Sequence, residues 1–151
     1  MIDEYEIAKL AYKLISTIKD MYADKDIRSS IHSRCRSIYG LMFMNGALSA
    51  ISFIYAKAGQ DLVFKVYDAL KKQIMGEKAM APQGKKEDLG YAAYAAFLNI
   101  CLERAGLAIN NASIGRLMEY LLSDMGPVYE KRLLILADWL KRLSETLLRE
   151  D

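Results

Sequence analysis

Histidine, cysteine and proline are scarce in this chain, and each shortage removes a class of explanation. One histidine, His32, and two cysteines, Cys35 and Cys101, cannot supply the three or four ligands of a zinc centre. His32 and Cys35 therefore read as a surface histidine beside a core cysteine. Cysteines this far apart form no disulfide framework. The opening MIDEYE is acidic where a secretory leader is basic, so the expected compartment is a reducing cytoplasm. In that setting the triplet Asn111-Ala112-Ser113, although it matches a glycosylation acceptor, goes unused. Only Pro82 and Pro127 interrupt the chain, and β-branched alternation is scarce. The dominant period is helical, which makes the expected class all-α.

Catalytic constellations are equally scarce. With no strand expected, no glycine-rich phosphate loop can follow one. Ser29, Ser30 and Ser33 crowd around His32, with Asp26 upstream. A serine nucleophile also needs an orienting acid and an oxyanion site, which this grouping on one helix lacks. Glu4 and Glu6 lie on an exposed terminus. The expectation is a non-enzyme, with no metal, no cofactor and no small-molecule substrate.

What is present is apolar bulk and a modest excess of cations. Hydrophobic residues make up 53% of 151 positions, and the net charge is +2. That length suits one domain, 1–151, able to bury its own core. The charge permits a nucleic-acid partner without requiring one.

Ser37 to Ala56, SIYGLMFMNGALSAISFIYA, carries no charge. A membrane-spanning helix needs about 20 predominantly apolar residues. This run reaches the length, but Gly40, Asn45, Gly46, Ser49 and Ser52 dilute it. The soluble alternative is a long central helix, buried on every side, within a compact bundle of five to six helices.

The remaining punctuation places the other helices. Asp3 caps a first helix to about Ala23, with Ile7, Leu10, Ala11, Leu14, Ile18 and Met21 on one face. A second spans Ile27 to Ala58, with Ile31, Cys35, Ile38 and Met42 as its stripe. Glycines inside it cost roughly 1 kcal/mol each against alanine, so close packing or a kink at Gly40 or Gly46 is expected. Gly59 ends it, and a third helix runs from Asp61 to Ile74. Residues 76–87, GEKAMAPQGKKE, read as an exposed, flexible loop. A fourth helix covers Leu89 to Ala105, a polar turn Asn110 to Ser113, and a fifth helix Ile114 to Met125. Pro127 opens the last helix at the favoured first position. That helix reaches about Leu148, with Tyr129, Leu133, Leu136, Leu140, Leu143 and Leu147 as its core stripe.

Phosphate recognition needs cations on a rigid surface. Two places qualify. The rims of the uncharged run carry Arg34, Arg36 and Lys57. The last helix carries Arg132, Lys141 and Arg142, with Trp139 two turns from Arg132 on one flank. The same helix carries Asp138 and Glu145 four positions before Arg142 and Arg149, pairs that an ordinary solvated face also displays. Trp139 by itself reads more readily as a core anchor than as a stacking platform.

Two segments together resemble a known family. Asn45-Gly46-Ala47-Leu48, with Phe53 and Lys57, is similar to an Asn-Gly-Leu, Ala-Phe, Ser-Lys pattern. Trp139-Leu140-Lys141-Arg142-Leu143-Ser144-Glu145 is similar to Trp-Leu-Lys-Arg-Phe-Ala-Glu, the more specific of the two. In that order, in an all-helical chain of this length, they resemble the small subunit of type III-B CRISPR (Cmr) RNA-guided effector complexes. The chain departs from the family at Tyr39, Phe43 and Ala47, where proline, arginine and leucine are usual. The resemblance implies a non-catalytic subunit. Its partners would be other effector subunits, copies of itself stacked as a minor filament, and the guide RNA/target RNA duplex. The target strand would be contacted by a basic surface that does not read its sequence. The competing reading is a generic helical adaptor or homodimer that binds no nucleic acid.

Overall fold

The computed structural model describes residues 3–109 and 113–149. Seven helices and no strand occur among them: α1 (Glu4–Met21), α2 (Lys25–Asn45), α3 (Ala47–Ala58), α4 (Gln60–Ile74), α5 (Lys86–Arg104), α6 (Ile114–Leu122) and α7 (Gly126–Leu147). The expected turn at Asn110 to Ser113 and the glycosylation triplet fall mostly on residues outside the described ones.

Short polar residues set the helix starts. The Asp3 carboxylate accepts from the backbone N–H groups of Tyr5 and Glu6. Asp24 does the same for Asp26 and Ile27. Each cap satisfies donors that the first turn leaves unpaired. The helix expected from Ile27 to Ala58 is broken at Gly46. Its φ of +89° is a left-handed conformation that side-chain-bearing residues rarely adopt. Gly59, at φ +84°, repeats the device between α3 and α4.

The central buried helix is α5, not the uncharged run. Every residue from Leu89 to Leu102 is buried. The helix packs against α2, α4 and α3, while α1 lies along α7 and α2 also packs on α7. Small side chains make this possible. Ala92, Ala93, Ala95 and Ala96 leave no bulk to hold neighbours away. At Gly90, a Cβ would fall 2.3 Å from Ser30 Oγ and 2.9 Å from the Ser30 carbonyl oxygen.

The uncharged run instead buries one stripe: Ile38, Met42, Ala47, Ala50, Ile51, Ile54 and Tyr55. Its outer face is open. Phe43 is 63% exposed, Met44 77% and Phe53 40%. Lack of charge alone did not bring neighbours to that side, and serines and glycines make its exposure cheap. Among the described residues no helix is long and apolar enough to cross a membrane.

One cluster of buried residues draws on all seven helices. From α7, Leu133, Leu136 and Leu140 are fully buried, whereas Tyr129, Leu143 and Leu147 pack at its edge. The non-helical segment before α5 is tethered at both sides. The Tyr22 hydroxyl donates to the Pro82 carbonyl at 2.8 Å, and Lys86 Nζ reaches Asp26 at 2.7 Å. A network around Tyr67 holds the chain beyond α5. Its hydroxyl lies 2.7 Å from both the Glu103 carboxylate and the Ile109 carbonyl, and Lys71 Nζ joins Glu103 at 2.9 Å.

Candidate nucleic-acid interface

The six cations singled out from the sequence fall into four surroundings. Arg36 and Lys141 come together. With Ser33 and Ser37 they line an open groove of about 450 Å³ between α2 and α7. Lys141 Nζ lies over the Tyr39 ring, 5.1 Å from its centroid. Tyr39 in turn stacks on Phe43, with centroids 6.2 Å apart and planes 24° apart. One turn beyond Lys141 on α7, an acid stands beside the groove. Glu145 Oε1 stands 3.2 Å from Arg36 Nε and 3.3 Å from His32 Nε2. Neighbouring His32, and beyond it Arg36 and Arg149, hold the Glu145 carboxyl below its ordinary value.

Arg142 lies one position further round α7. It pairs with Asp138 at 3.1 Å and stacks over Trp139, its guanidinium carbon 5.2 Å from the ring centroid. Its side chain is 62% exposed, so an approaching strand can reach it. Trp139 itself is half buried. It lines an apolar groove with Ala8, Tyr12 and Leu143 between α1 and α7.

Arg34 and Lys57 belong to the α2–α3–α5 side. The Arg34 guanidinium lies over the Tyr91 ring at 4.6 Å and Nη1 donates to the Tyr91 hydroxyl. Phe53 meets the same ring edge-on, centroids 5.8 Å apart, and Lys57 Nζ lies 5.6 Å from the Phe53 centroid. Arg34 is therefore occupied in fixing α2 to α5, while Lys57 is exposed.

Arg132 stands apart from all of these. It lines a cleft with Glu6, Ile7, Leu10 and Arg104. Nine positions separate it from Lys141, which at about 100° per residue places the two on opposite flanks of α7. The two-turn spacing from Arg132 to Trp139 does put both on the α1 flank. No group of three or more metal-ligating side chains occurs among the described residues.

The family model for the CRISPR-associated protein Cas_Cmr5 matches residues 3–147. The chain belongs to the Cmr5 family. Comparison with curated proteins found no match. Two solved chains share the fold at 18% identity. One, in a cryo-EM structure of the Type III-B Cmr-beta bound to cognate target RNA and AMPPnP, has a TM-score of 0.71. That match covers 97% of this chain and 96% of the other. The second, in the Type III-B Cmr-beta complex bound to non-cognate target RNA, has a TM-score of 0.72 and covers 100% and 99%.

Beside the α2–α7 groove stand groups that charge counting passed over: Tyr39 under Lys141, Phe43 stacked on Tyr39, Gly40 between Arg36 and Phe43, and Glu145 paired with Arg36. The signal for two of them was available. Arg36, Gly40 and Phe43 recur at i, i+4 and i+7, the spacing of one helix face. The partnership of Glu145 with Arg36 was not available, because no local pattern relates α2 to α7.

Proposed function

We propose that this chain is the small, non-catalytic structural subunit of a type III-B CRISPR effector complex in the cytoplasm. It contacts target RNA through its backbone and leaves sequence reading to the guide. The observation that carries this reading is the Cmr5-family match across residues 3–147. The surface supports it. Arg36 and Lys141 form a modest basic patch on two packed helices, suited to phosphates held in register by other subunits, and exposed Arg142 adds a cation further round α7. Lys57 extends cationic character onto α3. Arg34 serves α2–α5 packing first, and Arg132 contributes on a different flank.

Copies of the chain stack end to end in this reading. Two apolar patches of opposite charge support it. Lys65, Lys78 and Lys72, the last paired with Asp68 at 3.1 Å, line a groove of about 460 Å³ together with Phe64, Ala69 and Met80. The tethers Tyr22–Pro82 and Lys86–Asp26 place that groove near the start of α2. Exposed Leu122, Met125 and Val128, beside Glu119 and Asp124, form a corner before and into α7. Glu130, which reaches Ala47, places that corner near the far end of α2. The 21 residues of α2 put about 30 Å between the two. A knob and a socket on different surfaces generate an open, heterologous array. Arraying then raises weak single contacts through effective concentration.

The test is the double reversal Lys141→Glu with Arg142→Glu in the assembled complex. Target-RNA association weakens and its salt dependence flattens, while the melting temperature of the isolated chain stays nearly constant. Unchanged association would favour a helical adaptor without nucleic-acid contact.

A further inference from the structure

The α2–α7 groove has a feature that phosphate binding alone does not use. Phe43 is 63% exposed on a helix face that also presents Arg36. Between them lies Gly40, and a Cβ built there meets nothing within 4 Å. Packing therefore does not require glycine at 40, although glycine weakens a helix interior. What Gly40 provides is a bare stretch of backbone, one turn from Arg36 and one from Phe43. Tyr39 supports Phe43 from beneath, in stacked geometry, and is itself backed by Lys141. The aromatic pair is braced from the protein side and open on the other.

Exposed aromatics beside a cationic groove are the arrangement that holds single-stranded nucleic acid. Every base has a π-face to stack, and cations follow the backbone. A paired base offers no free face. We propose that this groove is a single-stranded RNA subsite: one unpaired base stacks on Phe43 over Gly40, and Arg36 and Lys141 hold the neighbouring phosphates. Serine hydroxyls at 33 and 37 offer further donors along the same wall. Glu145 pairs with Arg36 and offsets its charge, which keeps the site weak. The inference rests on the RNA-contacting reading above and deepens it by naming an unpaired nucleotide as the ligand.

The test uses the full chain at low salt and a short single-stranded RNA carrying one 2-aminopurine, against a blunt duplex of the same sequence. Binding is followed by anisotropy and stacking by 2-aminopurine quenching. The expected result is preference for the single strand, with quenching. Phe43→Ala should lose between about fivefold and a hundredfold in affinity together with the quenching. Phe43→Trp should retain both, and Gly40→Leu should remove quenching with the helix content unchanged.

If Phe43→Ala binds and quenches as the unaltered chain does, while Arg36→Glu with Lys141→Glu abolishes binding, stacking is overturned and phosphate contact survives. If neither change alters binding, both readings fall. If Phe43→Ala leaves RNA binding intact but prevents incorporation into the complex, Phe43 is a protein contact and the stacking proposal is overturned.

Discussion

Arg36 Nε and Glu145 Oε1 stand 3.2 Å apart, joining α2 to α7 beside the groove. The pair is solvent-exposed, so its worth to the fold is small. Its effect on the groove is larger, because it offsets one of the two cations there. Glu145→Gln is expected to raise RNA affinity by roughly two- to fivefold at low salt, a gain that fades as salt screens it. A titration of both proteins over a salt series decides this. The pH effect has a definite sign. The Glu145 carboxyl titrates below its ordinary 4.5 in the folded chain. Its contribution to stability is complete above about pH 4.5 and is lost as pH falls through the lower folded value. The Gln variant should lack that part of the acid transition.

Arg34 and Arg36 should separate cleanly although they are two positions apart. Arg34 lies against Tyr91 and donates to its hydroxyl. Arg34→Ala is expected to cost roughly 1–2 kcal/mol in denaturant unfolding, with little direct effect on RNA. Arg36→Ala should do the reverse. Equal destabilisation by both would place Arg36 in the packing too.

Two glycines give opposite expectations for the same substitution. Gly40→Ala meets open space and should stabilise by about 0.5–1 kcal/mol. Gly90→Ala drives a methyl group into Ser30 backbone and side chain, so α2 and α5 must separate. It should destabilise by roughly 1–3 kcal/mol. Thermal melts of the two variants check both at once.

Tyr94 is fully buried on α5, and its hydroxyl has no hydrogen-bond partner among the described residues. Burying an unpaired hydroxyl costs more than the bond it forgoes. Tyr94→Phe is expected to be neutral or to stabilise by about 1 kcal/mol. Clear destabilisation would mean that the hydroxyl is satisfied.

Burial pushes the Cys35 and Cys101 thiols up to about 12 from an ordinary 9.0, and the Tyr22, Tyr55 and Tyr67 hydroxyls to about 12 from 10.0. In each case the folded chain favours the neutral form. Stability from these groups is intact below about pH 9 and falls as pH climbs through the unfolded values toward 12. Melting temperatures should hold steady to pH 9 and then drop, and Cys35→Ala should blunt the first part of that drop. Neither thiol should react with a thiol reagent at pH 8 until denaturant is added.

Much of the fold is legible in the chain itself. Helical periodicity, a capping aspartate at 3, and glycines at 46 and 59 mark the helices, whereas the cap at Asp24 emerged only in the structure. The Trp139 to Glu145 segment points to the family. These are local signals: a helix face repeats within a few residues, and a cap acts across one turn. Which helix occupies the centre is not local. The uncharged Ser37–Ala56 run and the alanine-rich Leu89–Leu102 run both offer long apolar stretches. Only packing showed that small side chains, not absence of charge, let three neighbours close around α5. The groove is likewise a product of the tertiary fold. Sequence named Arg36 and Lys141 separately, but α2 against α7 brought them together, laid Lys141 over Tyr39 and set Glu145 beside Arg36. Contacts between distant segments depend on the three-dimensional path of the chain, which no window of residues contains.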